Sequence, residues 1–162
     1  ILYDQGSGVP ADPAEAAQWY RLAAEQGHAR AAFNLGLMHE LGDGVATDLP
    51  EAVRWYRIAG EAGDAIAQFR LGLIFAEGRG VPQDHAEAAH WYALAAEQNH
   101  ASAQFNLVTL YANGQGVPRD LGLATEWFER ADVSLMSGES AATCTPRNTP
   151  RLEECRRRFP EL

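Results

Sequence analysis

The chain has 162 residues, of which 46% are hydrophobic and 22% charged, and its formal net charge is −9. Its basic residues are 13 arginines against 22 acidic residues, so the chain lacks the clustered cationic surface that nucleic-acid binding requires. No apolar run approaches the roughly 18 residues that a membrane-spanning helix needs.

A four-fold repeat organises the chain. Four tryptophans follow one another at intervals of 36 residues, and a Gly-x-Gly-Val turn and an aspartate precede each one at fixed distances. A constant period of this size predicts a stacked array of helix pairs, each covering the apolar side of the next. We assign structural roles to the tryptophans Trp19, Trp55, Trp91 and Trp127, the glycines Gly44, Gly80 and Gly116, and the aspartates Asp48 and Asp84.

The same register predicts five segments. They are a partial first repeat over residues 1–28 that begins inside a helix, a second repeat over 29–64, a third over 65–100, a divergent fourth over 101–137, and a loop with a C-terminal capping helix over 138–162.

The second repeat illustrates the predicted elements. Small and apolar residues recur at intervals of three and four over residues 29–41, which predicts a helix, and Gly42 ends it because glycine readily adopts a left-handed conformation. Asp48 begins the next helix, and Glu51 three residues later completes a predicted capping box. Trp55 falls on the same stripe as the core alanines of that helix. We therefore predict that the tryptophans pack in the core and do not form a ligand-stacking row.

The fourth repeat and the tail depart from this pattern. Val108 replaces a glycine found at the same place in the second and third repeats, so we expect the two helices to be pushed apart or repacked. Leu123 replaces the capping-box glutamate, which predicts the beginning of a terminal cap. Cys144 and Cys155 are the only cysteines. We favour a disulfide between them over two buried thiols, and a disulfide would imply an oxidising compartment.

Other patterns in the chain do not predict catalysis. The Gly-x-Gly turns follow no predicted strand, which argues against a phosphate-binding loop. The capping carboxylates recur in three repeats, which favours capping over acid–base chemistry. The histidines lack metal-ligand spacing, and no Ser-His-Asp or Cys-His arrangement can be argued from spacing. We therefore predict no catalytic residues, no metal and no cofactor.

The repeated motif resembles the Sel-one-like repeat family, a branch of the tetratricopeptide-like helical arrays. The second repeat carries the family pattern at Ala31, Leu35, Gly36, His39, Gly42, Gly44, Val45, Asp48, Ala52, Trp55, Tyr56, Ala59 and Gly63. The resemblance implies an all-α, right-handed α-solenoid superhelix of antiparallel helix pairs, with the first helix of each pair on the concave side. It also implies a non-catalytic adaptor or scaffold, in bacteria often in the cell envelope or in signalling and secretion.

The tetratricopeptide-like phase predicts which residues face a partner. A mixed surface of apolar anchors flanked by asparagine and arginine suits an extended peptide or a partner helix. We further expect charge reversal at Arg70 to weaken partner binding without changing stability. The predicted partner-binding residues are Arg30, Phe33, Asn34, Leu37, Phe69, Arg70, Leu73, Phe105, Asn106 and Thr109.

Two alternative functions remain open from the sequence. One is an enzyme or binder acting on cell-wall material, and the other is a self-assembling structural scaffold that associates through its open N-terminal repeat. The expected partner is a protein or peptide, with no nucleic acid and no membrane span. The expected location is the bacterial periplasm or the extracellular space, with the cytoplasm as the alternative.

Overall fold

The computed structural model describes the backbone of residues 12–136 and the side chains of residues 12–131. Within this range the chain forms helices and no strands, so the predicted all-α repeat class is confirmed. The predicted capping helix and the proposed Cys144–Cys155 disulfide lie outside the described residues. The helices are α1 (Pro13–Glu25), α2 (Ala29–Leu41), α3 (Leu49–Glu61), α4 (Ala65–Glu77), α5 (His85–Glu97), α6 (Ala101–Asn113) and α7 (Leu121–Met136).

The aspartate at the start of α3 caps the helix, but the predicted capping box forms only in part. The carboxylate of Asp48 accepts the backbone N–H of Glu51 at 3.0 Å. Glu51 does not reach back to the cap, because its carboxylate accepts the indole N–H of Trp55 at 2.9 Å. The backbone N–H of Asp48 instead donates to the carbonyl of His39 at 2.9 Å. The sequence thus predicted the first hydrogen bond correctly and the second wrongly.

In the Gly-x-Gly turns that the structure describes, the second glycine is required for two separate reasons. Gly44 has a φ of +69°, which side chains rarely adopt, and a Cβ there would overlap the backbone of Pro13 at the start of α1. Gly116 has a φ of +71°, and a Cβ there would overlap the backbone of His85. Each turn therefore packs directly on the first residues of an earlier helix, a contact that the sequence did not predict.

The first compact unit contains α1 to α4 and ends at Asp84. Its helices α2 and α3 approach closely because Gly36 has no side chain: a Cβ there would lie 2.8 Å from the ring of Tyr56. The next helix is joined to α3 by Gln68, whose buried amide donates to the carbonyl of Gly60 at 2.8 Å. This bond adds a second donor to a carbonyl in the last turn of a helix, which also accepts the backbone N–H of Gly63 at 3.0 Å.

The second compact unit begins at His85 and contains α5 to α7. Val108 is fully buried between α6 and α7, and the residue in register with Tyr56 is the half-buried Phe128. The extra side-chain volume is thus absorbed by a local cluster, one of the two outcomes expected from the sequence. The amide of Gln104 donates to the carbonyl of Ala96 at 3.1 Å and so repeats the bond made by Gln68. The cluster consists of Val108, Ala112 and Ala124 with Tyr111, Leu121, Trp127 and Phe128 packed against it.

The four tryptophans do not share one environment. Trp55 and Trp91 are each 3% exposed, whereas Trp127 is half-buried and Trp19 is 55% exposed. The predicted burial is therefore wrong for Trp19 and incomplete for Trp127. These two residues lie on the first and last described helices, where fewer described helices are available to cover them.

Candidate functional site

We use the name inner helices for α2, α4 and α6, the first helix of each predicted pair. The predicted binding residues of the first unit lie on a second face of α2 and α4. Six of them are half-buried, whereas Leu35 on α2 and Leu71 on α4 are fully buried in the core. Each inner helix therefore has a core side and an accessible side. Arg30, at the start of α2, is exposed. The six half-buried residues are Phe33, Asn34 and Leu37 on α2 and Phe69, Arg70 and Leu73 on α4.

The second unit carries the remaining predicted residues on α6. Phe105 is 39% exposed, and Asn106 and Thr109 are half-buried. The hydroxyl of Thr109 donates to the carbonyl of Phe105 at 3.4 Å, one helical turn earlier. This hydrogen bond keeps the Thr109 hydroxyl on its own helix.

A charged cluster joins three helices of the first unit, and we call it the Glu40 cluster. Its centre is the carboxylate of Glu40 near the end of α2, whose side chain is 8% exposed. Oε2 accepts the hydroxyl of Tyr56 on α3 at 2.6 Å and a guanidinium N–H of Arg70 on α4 at 2.9 Å. Oε1 accepts a guanidinium N–H of Arg79, in the turn after α4, at 3.0 Å. One anion thereby fixes α2, α3, α4 and the following turn.

Opposing influences set the protonation states in the Glu40 cluster. Burial raises the pKa of Glu40, but the Tyr56 hydroxyl and the two arginines outweigh burial and hold that pKa below its ordinary value. The pKa of Tyr56 is raised, first by burial and then by its hydrogen bond to the Glu40 carboxylate. Glu40 is therefore an anion at neutral pH, and Tyr56 is a neutral donor.

The structure gives Arg70 an intramolecular role in addition to the predicted one. Besides its bond to Glu40, its guanidinium carbon lies 5.9 Å from the ring centres of both Phe33 and Tyr56. Cations at such distances from aromatic rings are attracted by them. Charge reversal at Arg70 would bring a carboxylate against Glu40. The expectation that it leaves stability unchanged is therefore not supported by the geometry.

The sequence contained a signal for the Glu40 cluster that was missed. In the 36-residue register, Glu40 aligns with Ala76 and Arg70 with Asn106. Arg79 aligns with Gln115 in the next repeat. Charged residues that interrupt a repeat at related positions can indicate a specific interaction between neighbouring repeats, and here they form one.

His39 is the least satisfied polar residue of α2. Its side chain is buried, and neither ring nitrogen has a hydrogen-bond partner among the described residues. A buried polar group without a partner costs free energy. No group of three His, Cys, Asp or Glu residues that could hold a metal occurs within residues 12–131. His39 therefore has no metal cluster around it in the part of the chain that the structure describes.

Paired helices in a constant register, with core glycines and an accessible face on the inner helices, define a helical repeat protein. A family model of the Sel1 repeat matches residues 1–28, 29–64, 65–100 and 101–131. The chain belongs to the Sel1 repeat family, whose members are typically non-catalytic scaffolds for protein interactions. Comparison with curated proteins found no significant match.

Solved structures of Sel1-like repeat proteins are similar to this chain. A protective antigen of uropathogenic Escherichia coli strains with an SLR fold is 38% identical, with a TM-score of 0.77 over 82% of this chain and 28% of the antigen. A Sel1 repeat protein from Oxalobacter formigenes is also 38% identical, with a TM-score of 0.72 over 82% of this chain and 54% of that protein. Cysteine-rich protein B of Helicobacter pylori is 22% identical, with a TM-score of 0.59 over 76% of this chain and 89% of that protein. At this identity the similarity supports a shared fold and nothing more. This chain spans about a quarter to a half of the length of the first two.

None of the helices described between residues 12 and 136 is long and apolar enough to cross a membrane.

Proposed function

We propose that the protein is an adaptor that binds an extended peptide or a partner helix on the accessible face of its inner helices. In the first unit, this face comprises the half-buried residues of α2 and α4 described above. Half-buried apolar side chains flanked by polar groups are suited to anchoring a peptide, because they lose their remaining water contact on binding.

The observation that carries this proposal is the contact between Arg70 and Phe33. The two residues lie on different helices, and their contact makes the accessible sides of α2 and α4 adjacent. A surface that continues from one helix to the next can hold several residues of one ligand. In the second unit, Phe105 and Asn106 give α6 a similar accessible face, which we propose as a binding surface of that unit by itself.

A peptide-display selection against the immobilised protein tests this role. We expect selected peptides to lose at least about tenfold in affinity for a Leu73→Asp variant, because a carboxylate replaces an apolar anchor. Leu22→Asp is the matched control, since Leu22 is an exposed leucine on α1, outside the inner helices. Unchanged melting of both variants ensures that only the surface differs. Selected peptides that bind the Leu73→Asp variant as tightly as the wild type would contradict the proposed surface.

We also propose that the protein acts in the bacterial periplasm or outside the cell. This rests on its similarity to a protein described as a protective antigen. Fractionation of cells expressing the full reading frame tests the location. A purely cytoplasmic distribution would contradict it.

A further inference from the structure

Two arginines of the first unit share one buried carboxylate, and we call them the arginine pair. Arg70 donates to Oε2 of Glu40 at 2.9 Å, and Arg79 donates to Oε1 of the same carboxylate at 3.0 Å. The side chain of Glu40 is 8% exposed, whereas those of Arg70 and Arg79 are 35% and 43% exposed. The anion is therefore buried, while both cations are accessible to a partner.

Each guanidinium of the arginine pair keeps most of its donors. An arginine side chain carries five N–H groups. Among the described residues, Arg70 makes a side-chain hydrogen bond to Glu40 and otherwise lies against aromatic rings, including that of Phe33. Arg79 donates to Glu40, and its Nε lies 3.8 Å from the carboxylate of Glu77, which is 55% exposed. The other N–H groups of both side chains can therefore donate to a second acceptor.

The charges around the arginine pair favour a ligand with one negative charge. The two guanidiniums and the single Glu40 carboxylate leave one net positive charge among these three side chains. A carboxylate carries one negative charge and can accept two parallel N–H groups of a guanidinium. The whole chain has a formal net charge of −9, which disfavours strongly acidic partners at long range. A single carboxylate among uncharged residues therefore fits better than a phosphate or an acidic run.

The arginine pair interrupts the 36-residue repeat. The other described repeats have no arginine at either position, and they form the same paired helices. Where the first of these repeats carries its aligned residues, between α1 and α2, a pocket of about 100 Å³ is open. The common helix packing of the repeat therefore does not require the arginine pair. The aligned residues are Asn34 and Asn106 for Arg70, and Asp43 and Gln115 for Arg79.

We propose that Arg70 and Arg79 together bind the side-chain carboxylate of one aspartate or glutamate in the partner peptide. This inference rests on the proposed adaptor function and specifies its ligand. Glu40 holds both guanidiniums in place before the ligand arrives, which lowers the entropic cost of binding. The Phe33 ring centre lies 5.9 Å from the guanidinium carbon of Arg70, so an apolar residue beside the acidic one can contact that ring.

A pair of small probes tests the site without a known partner. N-acetyl-glutamate amide and N-acetyl-glutamine amide have nearly the same shape, but only the first has a charged side chain. We expect the glutamate probe to shift the side-chain Nε–H resonances of Arg70 and Arg79, and the glutamine probe to bind at least about tenfold more weakly. Equal shifts with both probes, or no shifts with either, would overturn the proposal.

Removal of one guanidinium should abolish the preference for the charged probe. Arg79→Gln is the variant of choice, because Arg79 is the more exposed member of the arginine pair and Glu40 keeps its other partners. Arg54→Gln is the matched control, since Arg54 is an exposed arginine on α3 that also pairs with a glutamate. Thermal unfolding verifies that both variants fold. An Arg79→Gln variant that still prefers the glutamate probe would refute the site.

Removal of a competing carboxylate should strengthen binding. Glu77→Gln deletes the exposed anion beside Arg79, and we expect the affinity for the glutamate probe to rise at least about twofold. Glu61→Gln makes the same charge change in the turn before α4, at the other end of that helix, and should leave the affinity unchanged. An unchanged or lower affinity in Glu77→Gln would contradict the site.

The two proposals fail in different ways. Selected peptides that lose affinity for Leu73→Asp, but not for Arg79→Gln or after amidation of their acidic side chains, would overturn the carboxylate site and leave the adaptor function intact. Binding of the glutamate probe with no peptide selected would support the site and contradict the adaptor function. Tighter binding of a selected peptide after its acidic residue is replaced by phosphoserine would overturn the choice of a carboxylate.

Discussion

The contact between α1 and α2 (the first junction) and the contact between α3 and α4 (the second junction) share one register, but among the described residues only the second carries a cluster of ion pairs. At the second junction, Trp55 is buried and Glu40 pairs with two arginines. At the first junction, Trp19 is exposed and a pocket remains open. The repeated residues specify the helices at both places. The few residues that break the repeat decide which side chains meet at each junction.

The largest expected effect is on the free energy of unfolding, and it should differ between Trp55 and Trp19. Trp55→Ala should lower the free energy of unfolding by about 3–5 kcal/mol, because it removes a large buried side chain. Trp19→Ala should cost less than about 1 kcal/mol, because that side chain is already exposed. Urea denaturation followed by far-UV circular dichroism measures both changes. Equal losses would mean that the two junctions do not differ in packing.

Charge reversal at Arg70 should have the next largest effect. Arg70→Glu brings two carboxylates together at a mostly buried position, and we expect a loss of about 2–3 kcal/mol. Glu40→Arg in the same chain should restore part of this loss. The aligned substitution Asn106→Glu serves as control and should change stability by no more than about 0.5 kcal/mol. A stable Arg70→Glu single variant would show that the Glu40 cluster contributes little.

Neither ring nitrogen of His39 has a hydrogen-bond partner among the described residues, so replacing this residue should raise stability. Phe75 occupies the aligned position on α4, so His39→Phe should fit, and it removes two buried nitrogens that have no partner among the described residues. We expect a gain of about 1 kcal/mol. The reverse change, Phe75→His, should be destabilising. Both can be measured by thermal unfolding, and a lower melting temperature for His39→Phe would contradict the assignment.

The smallest effect concerns acid stability. The pKa of Glu40 is lowered in the folded chain, so between its ordinary value of 4.5 and the folded value the unfolded chain binds more protons. Ionised Glu40 therefore contributes stability above its ordinary pKa, and this contribution is lost as the pH falls through the folded pKa. Glu40→Gln should be less stable than the wild type at neutral pH, and the difference in stability between the two proteins should shrink in acid. A difference in stability between the two proteins that does not change with pH would show that ionisation of Glu40 contributes nothing to acid stability.

The sequence correctly predicts the local structure, namely where helices begin and end. Residues 29–41 were predicted as a helix ended by Gly42, and the structure has that helix with Gly42 in the left-handed conformation. Asp48 was predicted to cap the next helix, and it does. These features depend on residues within a few positions of one another, so composition and spacing suffice to predict them.

The candidate site was less predictable. Arg70 was identified as a surface residue, but its partner Glu40 lies 30 residues earlier and was not connected with it. Trp19 and Trp55 occupy the same place in the motif and differ only in what surrounds them. The motif describes one repeat, whereas burial depends on whether another helix covers that residue.

The sequence by itself determined the period, the helices, the turns that require glycine and the family. Only the tertiary structure decided which tryptophans are buried, that Glu40 joins Tyr56, Arg70 and Arg79, and that the first junction keeps an open pocket. The reason is that helix formation and capping are set by neighbours along the chain. The contacts between repeats depend instead on side-chain length and charge at positions that come together only after the helices have packed.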